Sequence, residues 1–272
     1  MKKILISALL LTGCALPTMA CTGISATAKD GGYVQARTIE WGDSYLPSQY
    51  VVIPRGHEMT SYTPTGINGA KFRARYGVVG LSIVLKDFVA EGLNEAGLSA
   101  GLFYFPHYGH YPAYDAKQNA QTVADLQLVA WILSQFSTID EVKAALQDIR
   151  VVSVDTTGAS STVHWRIGDA SGRQVVLEFV DGVPHFYDNE IGVLTNSPGF
   201  PWQMTNLNNY VNLYPGGAEA HQLGGVTIFP FGAGSGFRGI PGDVTPPSRF
   251  VRAAFYKATA PQCATAHDAI LQ

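Results

Sequence analysis

The chain has 272 residues, of which 46% are hydrophobic and 14% charged, with a formal net charge of −3. That is enough apolar material for one sizeable core or two small ones, and without a basic run it excludes nucleic acid as a natural partner. Its three cysteines are too few to build a disulfide-held fold, and no stretch beyond the N-terminus reaches the roughly 18 apolar residues of a membrane-spanning helix.

Lys2 and Lys3 precede an apolar stretch from Ile4 to Leu11, and Thr18-Met19-Ala20 puts small residues at −3 and −1 of a cleavage point. This is the layout of an export signal, so residues 1–20 are expected to be removed and residues 21–272 to function in the periplasm or outside the cell. Leu11-Thr12-Gly13-Cys14 offers a rival reading, a lipoprotein box in which Cys14 is lipidated and 15–20 form a short propeptide; plain signal cleavage is the favoured of the two. Cleavage before Cys21 leaves thiol and α-amine on one carbon. The amine's ordinary pKa of about 7.7–8.0, against about 8.5 for the thiol, lets it accept the thiol's proton near neutral pH, so nucleophile and base arrive together. A nucleophilic Cys21 has to stay reduced, and no disulfide with Cys263 is expected.

Strands are predicted over 23–28, 33–38 and 50–53, with Asp30-Gly31-Gly32 as the hairpin turn between the first two. The pattern continues over 76–84 and 98–105, with a turn at 94–97 before the latter. Val123, Leu126, Val129, Ala130 and Leu133 recur at helical spacing and predict an amphipathic helix over 122–136. Thr138 followed by Glu141 is a capping box opening a second helix to about residue 149. Strands resume over 162–167, 174–179, 185–187 and 192–195, and helices are predicted over 201–211, 248–259 and after Pro261. Such an order argues for an α+β protein with antiparallel sheets and segregated helices. The Gly-rich stretch 229–247 is long for a plain connection and is expected to line a substrate site.

Several motifs fall in a recognisable order: Cys21-Thr22-Gly23, Ala36-Arg37-Thr38-Ile39-Glu40-Trp41, Gly92-Leu93-Asn94-Glu95-Ala96-Gly97-Leu98, Ala100-Gly101-Leu102, Phe105-Pro106 and His164-Trp165. Then come Ile191-Gly192-Val193-Leu194-Thr195-Asn196-Ser197-Pro198, Leu207-Asn208-Asn209-Tyr210, Gly239-Ile240-Pro241-Gly242-Asp243 and Ser248-Arg249-Phe250. From Cys21 to its end the chain resembles the choloylglycine hydrolase family, N-terminal-nucleophile amidases that include bile salt hydrolases and penicillin V acylases. The resemblance implies a four-layer αββα sandwich with two antiparallel sheets. It also implies that the domain is incomplete, since the chain stops at Gln272, short of the family's final strands.

On the same resemblance, Cys21 is the nucleophile and Arg37 the arginine beside the sulfur, where a cation favours a thiolate. Glu40 stands where the family usually has an aspartate that orients the amine. Asn196 falls on the oxyanion-hole asparagine and Arg249 on a second arginine of the site. Tyr104 departs from the asparagine of Gram-positive bile salt hydrolases, so its backbone N–H is the expected replacement donor. The implied substrate is a small-molecule amide with an apolar acyl group, such as a conjugated bile acid or penicillin V, with Phe103, Tyr104, Phe105, Tyr108 and Tyr111 suited to hold that group. An acyl-homoserine lactone acylase and a non-catalytic acyl-amide-binding lipoprotein are the alternatives. Relatives form homotetramers; no cofactor and no stable membrane insertion are expected. The seven histidines show no metal-ligand spacing, and none of them is needed as a base: His164 and His185 read as packed strand residues, His107 and His110 as part of an aromatic-rich stretch. Asp243 reads as shaping its Gly-rich loop.

Overall fold

The computed structural model describes residues 19–41, 45–154 and 162–272. The predicted export signal, with Cys14, lies outside the described residues except for Met19 and Ala20. In chain order, β1 (Met19–Thr27) and β2 (Tyr33–Trp41) form a hairpin, followed by β3 (Ser48–Ile53), β4 (Glu58–Thr60), β5 (Lys71–Arg73), β6 (Val78–Ile83), β7 (Val89–Asn94) and β8 (Ser99–Tyr104). Next come β9 (Thr122–Ala124), α1 (Leu128–Gln135), α2 (Ile139–Ala145), β10 (Arg150–Val152), β11 (Val163–Gly168), β12 (Gln174–Val180), β13 (Val183–Asp188) and β14 (Val193–Leu194). The chain then runs through α3 (Phe200–Asn206), β15 (His221–Leu223), β16 (Val226–Ile228), α4 (Pro246–Thr259) and α5 (Ala266–Leu271).

Two antiparallel sheets carry the architecture. One has three strands in the order β14-β1-β2, the other seven in the order β13-β12-β11-β8-β7-β6-β3. Helix α1 packs on β7 and β8, whereas α4 and α5 pack on β1 and its neighbours, and β1 faces β8 across the middle. The layers therefore run helix, sheet, sheet, helix, the αββα sandwich expected from the sequence. Because successive side chains on a strand point to opposite faces, β8 and β11 divide their residues. Leu102, Trp165 and Ile167 join the large core with Leu128, Ile132 and Leu133 of α1, whereas Phe103 packs between the sheets with Cys21, Val193 and Leu194. The inter-sheet face of the large sheet also carries Glu91, His164, Arg166 and Glu178, an unusual amount of charge for a buried layer.

The Thr138 capping box forms as predicted, its hydroxyl accepting from Glu141 N–H at 3.2 Å. Three expectations need correction. The predicted helix over 122–136 is helical only as α1; Thr122–Ala124 forms a parallel pair with Arg150–Val152, and a 3-10 turn at Asp125–Gln127 joins the two pieces. Residues 89–94 form a strand that the sequence did not predict, closely packed against β6, where a Cβ on Gly80 would lie 2.7 Å from the carbonyl of Glu91. The stretch 229–247 is exposed for much of its length and does not reach the cavity described below. Among the described residues no helix is long and apolar enough to cross a membrane.

Candidate active site

Strand β1 is the central strand of its sheet, but β14 pairs with it only at Gly23 and Ile24, so Cys21 is laddered to β2 alone. The register puts Cys21 opposite Ile39 and Gly23 opposite Arg37, which places thiol and guanidinium on one face, toward the large sheet. Thr22 and its partner Thr38 occupy the other face, toward α4. Because the strand continues back into Ala20, the Cys21 nitrogen is a peptide N–H; it donates to Asn196 Oδ1 at 2.9 Å.

Asn196 follows β14 and is buried. Its Oδ1 also accepts from Arg249 Nη2 at 2.7 Å, and its Nδ2 donates to the Tyr104 carbonyl at 2.7 Å. A carboxamide nitrogen has two N–H donors, so a second remains for an oxygen arriving at Cys21. Arg249 lies in the first turn of α4 and is largely buried. It donates to the Cys21 carbonyl, to Thr22 Oγ1 at 2.6 Å and to the Val244 carbonyl at 2.9 Å. Burial draws its guanidinium below the ordinary arginine value, opposed by the charge of Glu40. Asp243 shapes the entry to this helix: it accepts from Thr245 N–H at 2.9 Å and Ser248 Oγ at 2.6 Å, and these bonds hold its carboxyl down at about 2.

Arg37 donates to the carbonyls of Leu102 and, at 3.4 Å, Ala90. Its guanidinium lies 4.0 Å from the centre of the Phe103 ring. Arg166, fully buried, lies over the same ring at 5.6 Å, and one carboxylate, Glu91, is shared between Arg37 at 3.5 Å and Arg166 at 3.0 Å. Arg166 also donates to the Ile24 carbonyl at 2.7 Å, which ties the large sheet to β1, the strand that carries Cys21. Arg37 and Cys21 are therefore brought together as walls of one cavity rather than as a hydrogen-bonded pair. Glu40 stands further off. It is opposite Ala20 in the register, exposed, and accepts from Thr38 Oγ1 at 2.9 Å, while the same hydroxyl accepts from Thr22 N–H at 3.1 Å. Its reach to the Cys21 segment is through Thr38.

A cavity of about 280 Å³ opens over Cys21 and Arg37, lined mainly by Ile39, Leu46, Ile83, Leu102, Tyr104 and Val163. Of the five aromatic residues expected to hold an acyl group, only Tyr104 lines it among the described residues; burial raises its hydroxyl pKa. Phe103 and Phe105 pack on buried neighbours instead, Phe105 stacking on His164 at 4.2 Å. The hydroxyl of Tyr111 is taken up with the Val163 backbone.

Sequence reasoning missed Asp125, a buried carboxyl in the cavity wall. The Leu126 N–H donates to it at 2.9 Å, yet burial pushes its pKa from 3.8 up to about 7. Between those values the folded chain holds a proton that the unfolded chain has released, so stability from this group falls as pH rises, by up to about 1.4 kcal/mol per pH unit. Asp125→Asn imitates the protonated form. Denaturant melts at about pH 4.5 and about pH 7.5 should show the variant gaining on its parent at the higher pH.

Gly23 is required by close approach. A Cβ there would lie 2.6 Å from Phe103 Cζ and 2.9 Å from Arg166 Nη1, and both of those side chains are fully buried. Gly23→Ala should cost about 1–3 kcal/mol in denaturant unfolding, and should also lower turnover because it displaces the strand two residues from Cys21.

The profile described as linear amide C-N hydrolases, choloylglycine hydrolase family, matches residues 21–272. The bile salt hydrolase/transferase of Clostridium perfringens is 34% identical over 241 residues, covering 87% of this chain and 71% of that protein. The penicillin V acylase of Pectobacterium atrosepticum is 28% identical over 240 residues, covering 82% and 55%. Among solved structures, a mutant conjugated bile acid hydrolase from C. perfringens superposes with a TM-score of 0.76 at 32% identity, covering 88% of this chain and 72% of that one. Penicillin V acylase from Agrobacterium tumefaciens gives 0.73 at 25% identity, covering 92% and 69%. The chain belongs to the choloylglycine hydrolase family. It is a hydrolase of linear amide carbon–nitrogen bonds with the Ntn-hydrolase fold. Among the described residues no cluster of His, Cys, Asp or Glu is arranged to hold a metal ion.

Proposed function

We propose that the mature enzyme is an exported amidase that begins at Cys21 and cleaves amides of bulky apolar acyl groups, such as conjugated bile acids or penicillin V. The observation that carries this reading is Asn196 Oδ1 bridging Arg249 and the nitrogen of Cys21, a residue that itself lines a largely apolar cavity. Removal of residues 1–20 turns that nitrogen into an amine. The amine takes the Cys21 proton, and the thiolate, favoured by the nearby Arg37 cation, attacks the amide carbon. The remaining Asn196 N–H meets the oxyanion. The ammonium proton then passes to the departing amine, and water cleaves the acyl thioester. Apolar walls take the acyl group, and the same residues Arg37, Ile39, Leu46 and Ile83 also line a wider crevice between the sheets, which gives room for a long acyl chain or a fused ring system.

The test is the intact mass and N-terminal sequence of protein recovered from its native compartment, assayed on glycine-conjugated cholate and on penicillin V. A chain starting at an unmodified Cys21 that hydrolyses either amide supports the proposal. Hydrolysis by a chain in which Cys21 is still internal would overturn the role of the amine, and a chain beginning at lipidated Cys14 would overturn the soluble exported form.

A further inference from the structure

We infer that the buried pair His164 and Glu178 is a positioning device for Asn196, holding the oxyanion side of the site in place without touching substrate. This rests on reading Asn196 as the oxyanion donor. His164 is 0% exposed and Glu178 1%, and neither lines the cavity over Cys21. The Thr195 carbonyl lies 3.1 Å from His164 Nε2; a carbonyl can only accept, so Nε2 carries a hydrogen and donates it. On the other side of the ring, Nδ1 lies 2.9 Å from Glu178 Oε1, and that same oxygen accepts from Phe200 N–H at 2.8 Å.

One side-chain pair thus grips both ends of the segment from Thr195 to Phe200, whose second residue is Asn196. The ring itself has little freedom. Phe105 stacks on it at 4.2 Å with planes 6° apart, and Phe103 meets it edge-on at 6.2 Å. Thr195 is further anchored through its hydroxyl to the Pro246 carbonyl at the start of α4, the helix that supplies Arg249. A buried polar pair hydrogen-bonded on both sides is rigid, and a donor fixed before charge develops needs no reorganisation when the oxyanion forms. The chemistry therefore depends on residues that a search for reactive groups passes over.

Two substitutions at one position separate positioning from packing. His164→Asn keeps a polar group near Nδ1 for Glu178 but leaves nothing beside the Thr195 carbonyl, whereas the amide nitrogen of His164→Gln reaches that carbonyl. Per folded molecule, His164→Asn should lower kcat about 10²-fold with KM within about threefold of the parent. His164→Gln should recover about tenfold or more of that loss. A parental kcat in His164→Asn, or equal losses in the two variants, would overturn the inference. Should His164→Asn not fold, Glu178→Gln takes its place: kcat lower by about tenfold or more at constant KM supports the inference, and a parental kcat defeats it. Cys21→Ala, run alongside, keeps the two readings apart. An active Cys21→Ala would remove the site reading itself, while an inactive one beside a fully active His164→Asn would remove only this inference.

Discussion

Replacing Cys21 with alanine should leave a folded protein with no measurable amidase activity, a fall in kcat of about 10⁴-fold or more. The position tolerates the change structurally. Cys21 is 6% exposed and packs with Phe103, Val193, Leu194 and Phe250, so losing one sulfur atom leaves a small void costing on the order of 1 kcal/mol. Its backbone bonds to Asn196 and Arg249 do not involve the thiol. Unfolding by denaturant and turnover should therefore separate: near-parental stability, absent hydrolysis. An active Cys21→Ala enzyme would mean that another group makes the acyl intermediate.

The second large effect is expected at Asn196. Asn196→Ala removes the proposed oxyanion donor, and losing such a donor typically costs about 10²–10³ in kcat. It also strips partners from the Cys21 nitrogen, from Arg249 Nη2 and from the Tyr104 carbonyl. A buried polar group left unsatisfied costs roughly 1–3 kcal/mol, so stability should drop together with turnover, in contrast to Cys21→Ala. Asn196→Asp divides the two roles. Its carboxylate still accepts from Arg249 and the Cys21 nitrogen but has no N–H for an oxyanion, so stability should recover further than kcat. Parental turnover in Asn196→Asp would exclude the Nδ2 hydrogen as a donor.

The residues assigned to the proposed mechanism were readable because they stand in motifs: Cys21 after a signal-like segment, Arg37 in a strand, Asn196 before Ser-Pro, Arg249 after Ser248; Glu40, from the same strand as Arg37, lies further off. What supports them was hidden by the same rules that made strands readable. Arg166 lies between Trp165 and Ile167, and Glu178 between Leu177 and Phe179, and strand alternation by itself places such residues on a polar face. In the structure that face meets a second sheet, and burial there becomes tolerable because each charge has a partner on another strand. Local pattern likewise could not show that 122–124 leaves the helical periodicity, since its pairing partner at 150–152 is distant in sequence. Strand β7 carries two residues, Glu91 and Gly92, that weaken a strand signal, and both make sense only against neighbours: Glu91 between two arginines, Gly92 beneath Leu133, where a Cβ would lie 2.8 Å from Cδ1.

The groups at the reacting centre and the groups around it come from different kinds of chain. Cys21 and Arg37 are on paired strands and Arg249 is in the first turn of a helix, whereas Leu46, Val84, Leu126 and Val154 reach the same cavity from connections and a short turn. If the cavity takes the acyl group as proposed, changes at these positions should alter which acyl groups are accepted while Cys21, Asn196 and Arg249 stay in place. Leu46 and Leu126 also pack against the large core, so the freedom to vary is greatest at Val154.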